Sequence, residues 1–457
     1  MKKRHIQITF LTILLAFFFN QVYAQENFAQ DFEVFQKNNQ YIVRGEIDLK
    51  EHFSGEEAGE AIQFALDKLG KSGGSVLLHS GLYRLNKQIN IPGRTTLSGT
   101  GAGTRLFFAE NHNTGTALQC KGADNSVVKD LSILAELTNL SAKTGLLIDS
   151  CGLTSAENIT CIGMREHGIV LSNNSFLCSI NNCKVGATGE SAIAVKNLFK
   201  GGRGGDWVPS QIDNCVVFSC GKGIECEKSL VINISDCQVY QTFGPAFYIH
   251  SESNSVIITG CRTYQITGSS VVVQNSHEIN ISGNMISWST EHGIILDNVK
   301  WGAVAGNNII DNGSINIFNP GEDSLIIADY RRPFTKKISQ NLEVENYNGV
   351  WMRNKTMGIA VTGNSIYNWH VVPPMKHGIE EDSTCVANNI SANNINYCVK
   401  ESILSKGKET LVSENKVYPD IPYYRLNSNK PFDPKNIKEY QIFDTRLILE
   451  FIDELNQ

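Results

Sequence analysis

The chain repeats itself with a step of 22 to 27 residues, and this period constrains its fold more than any other feature. The segments Thr160-Cys161-Ile162, Asn182-Cys183-Lys184, Asn214-Cys215-Val216, Asp236-Cys237-Gln238 and Gly260-Cys261-Arg262 follow one another. The series continues as Gly283-Asn284-Met285, Gly306-Asn307-Asn308, Gly363-Asn364-Ser365, Ala387-Asn388-Asn389 and Glu414-Asn415-Lys416. A second mark keeps the same beat at Gly145, Gly168, Gly223, Gly293, Gly358 and Gly378, mostly followed by Ile or Leu. A unit this short cannot bury its own apolar face, so the units must stack. Short β-rich runs such as Val256-Ile257-Ile258 and Val271-Val272-Val273 surround each mark, and no helical pattern interrupts them. These features imply an all-β chain wound as a single-stranded, right-handed parallel β-helix, a solenoid of strands.

The ends read differently. Residues 1–24 have the form of a signal peptide. Lys2, Lys3 and Arg4 precede an apolar run from Ile8 to Phe19, and Val22-Tyr23-Ala24 forms a small-residue cleavage site. The apolar run is short for a membrane span, so the expectation is a secreted protein, periplasmic or extracellular, with no membrane attachment after cleavage. Residues 25–56 read as a polar, irregular lead-in. Glu57 to Leu69 places Ala61, Ile62, Phe64, Ala65 and Leu69 at helical spacing, and Gly70 stops it. Such a helix can close the open end of a solenoid. The coil stack then spans 57–417. In the extension 418–457, Phe443 to Leu455 reads as an amphipathic helix that caps the far end.

Removing Lys2, Lys3 and Arg4 takes three from 40 basic residues and leaves 37 against 46 acidic ones, a net charge of −9. That balance gives no support for a nucleic-acid partner, which needs a basic face. Twelve cysteines in an exported chain would ordinarily mean disulfides. Here Cys161, Cys183, Cys215, Cys237 and Cys261 share one position of the repeat, and Asn takes that position later. The expectation is a column of reduced, buried thiols giving way to an asparagine ladder, with neighbours about 4.8 Å apart. No tight Cys/His pairing suggests zinc.

The stretch AIQFALDKLGKSGGSVLLHSGLYRLNKQINIPGRTTLSGTGAGT, residues 61–104, resembles the opening of the pectate-lyase-like β-helix superfamily. There a helix is followed by a Gly-Gly-x-Val strand, a G-x-Y-x-L turn and a Thr-Leu-x-Gly-x-Gly segment. The resemblance implies the fold; it does not choose among lyases, hydrolases, epimerases and phage tailspikes. The motif sets of the polygalacturonase branch are missing. The implied partner is a polysaccharide or oligosaccharide, and a homotrimer fits the same superfamily. No cofactor is evident. Calcium stays open, because ligands drawn from successive coils do not show in a sequence.

Two interruptions break the beat, and loops on one side of a solenoid can wall a cleft. The first, Phe199 to Ser210, offers Arg203, Asp206 and Trp207; the second, about 311–356, offers Glu322, Asp323, Arg331, Arg332 and Trp351. On the strand pattern Lys222 to Lys228, Glu225 and Glu227 point outward while Ile224 and Cys226 point inward. Later coils place His250, Gln274 and Asp297 in the column of Glu227, and Tyr248, Val272 and Ile295 in that of Glu225. DNCVVFSCGKGIE, residues 213–225, resembles the catalytic stretch of the inulin fructotransferase family, with one extra residue of spacing. That resemblance implies Asp213 and Glu225 as an acid–base pair facing one cleft. Glu227, His250 and Asp297, with Arg203, Asp206, Trp207, Arg331 and Arg332, are the expected substrate contacts. His167, His292 and His377 each precede Gly-Ile, which reads first as a turn position.

Overall fold

The computed structural model describes residues 30–108, 115–135, 142–198, 209–313, 347–368, 375–396 and 398–418. Within them the chain winds as a parallel β-helix with three faces. The first face includes Thr144–Asp149, His167–Ser172, Ser191–Lys196, Lys222–Glu227 and Phe247–His250, each paired in parallel with the next. The second face includes Ser179–Asn181, Ser210–Asp213, Leu230–Ser235 and Asn254–Thr259. Two long strands, Val271–Ser282 and Ile294–Ala305, turn the corner and belong to both faces. The third face is a separate sheet of 13 strands running from Gly81–Leu85 to Lys416–Tyr418.

Alternation along each strand builds the core. In Lys222–Glu227, Ile224 and Cys226 are wholly buried, and Phe247 with Ile249 and Val271 with Val273 stack on them. The outward columns fall as the sequence pattern predicts: Glu227, His250, Gln274, Asp297 in one, and Glu225, Tyr248, Val272, Ile295 in the other.

A residue in the left-handed region turns the corner into the third face in each coil: Asn158, Asn182, Asn214, Asp236, Gly260, Gly283, Gly306, Gly363, Ala392 and Glu414. The residue after it points into the core. This corrects the predicted column in two places. Ile159 precedes Cys183 there, because Cys161 is paired with Val185, two positions further along the strand. Asn393 takes the rung expected of Asn388, which follows left-handed Ala387 at a different corner. One local pattern, a left-handed residue before Asn, serves two corners of the coil. The ladder itself is continuous: Nδ2 of Asn284, Asn307, Asn364 and Asn393 each donates to Oδ1 of the next, ending at Asn415, over 2.9–3.0 Å. All twelve cysteines are free, and Cys183, Cys215, Cys237 and Cys261 each direct Sγ–H at the carbonyl two residues earlier, over 3.2–3.3 Å.

The glycine beat has a steric cause. A Cβ at Gly223 would lie 2.6 Å from Val239 Cγ1, and one at Gly293 would lie 2.8 Å from Ile309 Cγ2. Gly349, not Gly358, continues this column.

The helix forms as expected. Ala58–Leu69 (α1) buries Ala58, Ala61, Ile62, Ala65, Leu66 and Leu69 against the first strands and ends at left-handed Gly70. The lead-in is not irregular. Gln30–Lys37, Gln40–Gly45 and Glu51–Gly55 form an antiparallel ribbon, and the first of these pairs in parallel with Gly74–Leu78. In the first strand the inward Phe32 and Val34 are separated and flanked by Asp31 and Glu33, which made the segment read as polar and irregular. No helix among the described residues is long and apolar enough to cross a membrane. The expected signal peptide and C-terminal cap helix lie outside the described residues.

Candidate functional site

The outward side chains of four successive coils on the first face enclose a cleft of about 540 Å³. Arg165, Glu166, His167, Glu190, Lys196, Lys222, Glu225, Glu227, Tyr248 and His250 line it. Glu225 sits at its floor and is only 3% exposed. Its Oε1 accepts from Lys222 Nζ at 2.6 Å and lies 3.2 Å from His250 Nε2, while Oε2 accepts from Ser191 Oγ at 2.5 Å. Burial alone would raise the pKa of this carboxyl, but the bonds from His250, Lys222 and Ser191 together outweigh it and hold it well below the usual carboxylate range. Glu225 is therefore a fixed negative charge that anchors a lysine and a histidine.

A second unit sits one coil away. Ser191 O accepts from His167 Nδ1 at 3.4 Å, and a carbonyl can only accept, so Nδ1 carries the proton. His167 Nε2 then presents its lone pair to Lys196 Nζ at 2.9 Å. Burial, and next the charge of Lys196, lower the His167 pKa to about 4. Among the described residues no carboxylate pairs with Lys196, whereas Lys222 is shared by Glu225 and Glu190. Tyr248 stacks on His250 with centroids 4.2 Å apart, and its hydroxyl donates to Gln274 Oε1 at 2.8 Å.

Of the expected site residues, Glu225, Glu227 and His250 meet in this cleft. Asp213 does not. It ends a second-face strand, separated from Glu225 by the third-face strand Val216–Phe218, and accepts from Ser235 Oγ at 2.6 Å. The expectation that Asp213 and Glu225 face one cleft is corrected: between them the chain turns from the second face through the third to the first. Asp297 lies further along the Glu227 column, bonded by Arg353 Nε and Asn354 Nδ2, each at 2.8 Å. Trp351 stands in a first-face strand, Val350–Arg353, rather than in a loop. Arg203, Asp206, Trp207, Glu322, Asp323, Arg331 and Arg332 lie outside the described residues.

Sequence reasoning missed Lys196 and Lys222 and gave His167 a turn role first. The signal was available: Lys196 is the partner of Glu227 in the preceding coil, so the polar stripe extends backward as well as forward. His292 and His377 share the His167 position; His292 reverses the Nδ1 contact, whereas His377 repeats the approach to a carbonyl of the next coil. His292 Nδ1 accepts from the Asn348 backbone at 2.9 Å, and His377 Nδ1 lies 2.6 Å from Glu401 O.

The family model described as "Right handed beta helix region" matches residues 201–366. No curated protein matches the chain in sequence. Among solved structures, the Azotobacter vinelandii mannuronan C-5 epimerase AlgE6 A-module is similar, with a TM-score of 0.59 at 14% identity, covering 80% of this chain and 96% of that one. The AlgE4 A-module of the same organism gives 0.53 at 12% identity, covering 80% and 94%. DFA-IIIase from Arthrobacter chlorophenolicus A6, solved with GF2, gives 0.51 at 14% identity, covering 73% and 90%. At these identities the likeness is one of fold. The coils wind as a right-handed parallel β-helix, and the likeness to the inulin fructotransferase family is weak.

Proposed function

We propose that this right-handed β-helix is an exported enzyme that breaks glycosidic links in a polysaccharide laid across the first-face cleft, by elimination at a uronate unit. The observation that carries the reading is the pair His167 and Lys196: a neutral imidazole whose Nε2 lone pair meets an ammonium without a carboxylate partner among the described residues. Elimination next to a carboxylate needs a cation on that carboxylate and a base for the adjacent proton. Lys196 turning to the substrate carboxylate would leave Nε2 free to take the C5 proton. The C5–H electrons then form the C4=C5 double bond, and the C4–O bond breaks. The leaving oxygen takes a proton, which Tyr248 can supply, since burial raises its pKa and keeps the phenol protonated. Lys222 and His250, held by Glu225, line the same cleft and can position the sugar hydroxyls.

Fructotransfer or hydrolysis through Asp213 and Glu225 fits less well. Asp213 is on another face, and Glu225 is tied up by three donors. The neighbours whose titles name a mannuronan C-5 epimerase are compatible with proton removal at C5. The test is incubation with polygalacturonate, alginate, inulin and levan. Ultraviolet absorbance of an unsaturated uronate from one of the first two is the expected result. Reducing ends or cyclic disaccharide without unsaturation would overturn elimination, and binding without any product would favour an adhesive role.

A further inference from the structure

A second cleft, of about 430 Å³, lies on the second face. Val231, Asn233, Ser255, Ile257, Glu278, Asn280, Trp301 and Gly302 line it. The side chains come from two in-register columns across four coils: Asn233, Ile257, Asn280 outward along the strands, and Val231, Ser255, Glu278, Trp301 at the corner. Strand spacing makes this run about 14 Å long. Trp301 is 55% exposed, the most exposed aromatic among the large hydrophobics of the described residues. Its backbone lies in the left-handed region at φ 58°, as do those of Val231, Ser255 and Glu278 in the same corner column. The next coil has Gly358 in the same corner, and a Cβ there would lie 2.9 Å from Trp301 Cδ1. The indole therefore lies over a residue without a side chain.

We infer that this surface binds an uncharged glycan chain, separately from the first-face cleft. A pyranose ring has an apolar face and a rim of hydroxyls. The cleft offers the complement: the indole with Ile257 and Val231 for the ring face, and Asn233, Asn280 and Ser255 for the rim. Its charge selects against uronates. Glu278 is the single charged lining residue, held by Ser255 Oγ at 2.6 Å, and no cation lines the cleft. The first-face cleft, with Lys196 and Lys222, has the opposite preference. The surface would hold the protein on a neutral polymer while the first face acts on its substrate, and it does not depend on the reaction proposed there.

Affinity electrophoresis tests this, with soluble starch, hydroxyethylcellulose, xylan, galactomannan, polygalacturonate or alginate in the gel. At least one neutral polymer should retard the full chain. Trp301→Ala should weaken that retardation at least tenfold, Asn280→Ala should weaken it less, and Trp301→Phe should keep most of it. Lys196→Met, which disables the first-face cleft, should be retarded by the neutral polymer as the unaltered chain is, so failure of one site is distinguishable from failure of the other. Thermal melts of each variant separate lost binding from lost fold. Retardation by acidic polymers alone, or undiminished binding by both Trp301→Ala and Asn280→Ala, would overturn the inference. So would a dimer in sedimentation that Trp301→Ala dissociates, since the surface would then belong to a second copy.

Discussion

His167 keeps its Nε2 lone pair well below neutral pH because burial and the Lys196 charge both oppose the imidazolium, which sets its pKa at about 4. A base with that pKa stays competent as pH falls through the ordinary histidine range, so the acid limb of activity should fall near pH 4 and not near 6.5. Replacing Lys196 by Met removes the second cause, and the NMR titration midpoint of His167 should rise. The sign for stability follows from the same shift. The unfolded chain takes up this proton near pH 6.5 and the folded chain near 4, so the group weakens the fold progressively as pH drops through that window. The effect is at most about 3 kcal/mol. Urea unfolding of His167→Gln should lack that component. Glu225→Gln should reduce turnover by about 10²-fold by releasing Lys222 and His250, while Asp213→Asn, remote from the cleft, should leave kcat close to the unaltered value. The carboxylate of Glu225 was legible because strand alternation alone points it outward. Its partner in chemistry was not, because His167 and Lys196 are 29 residues apart and meet only through the stacking of two coils.

At the level of the strand and its corner, sequence pattern carried further. The period marked nine of the thirteen third-face strands, and alternation set the inward column through Ile224 and Cys226. Ile224→Asp should place an unpaired charge in that column and cost on the order of 3–5 kcal/mol, read as a large fall in melting temperature. The corners were harder, because a coil has more than one of them with the same chemistry. Asn388 and Asn393 each follow a left-handed Ala, and hydrogen bonding alone distinguishes them: Asn393 joins the ladder, whereas Asn388 Nδ2 donates to buried Glu381 at 2.7 Å. The ladder predicts its own sensitivity. Asn307→Ala removes the acceptor of the Asn284 backbone N–H and the donor to Ile281 O, both buried. At roughly 1–3 kcal/mol for each group left unpaired, the loss should reach about 2–4 kcal/mol in denaturant unfolding. A loss under 1 kcal/mol would mean that water replaces the rung.

Over the whole molecule, stability passes from coil to coil, since each coil contacts mainly its neighbours. The inside of that stack holds most of the cysteines, eleven buried and Cys398 partly so. Burial raises the thiol pKa values of Cys120, Cys151, Cys161, Cys178, Cys226, Cys385 and Cys398, that of Cys178 to about 12, so these are poor nucleophiles while folded. Pairing within the column is also geometrically disfavoured. In-register parallel side chains keep their Cβ atoms near the strand spacing of about 4.8 Å, beyond the 3.5–4.5 Å that a disulfide requires. The fold thus protects from oxidation thiols that an unfolded chain would expose. Thiol titration of the denatured, unreduced protein should find close to twelve free groups. Unfolding removes the protection, because a mobile chain brings together cysteines that the coils hold apart. Heating or urea without reductant should therefore be irreversible, with loss of titratable thiols, and reductant should restore refolding. Full refolding after prolonged unfolding in air, with every thiol still free, would show that protection does not come from the coil stack.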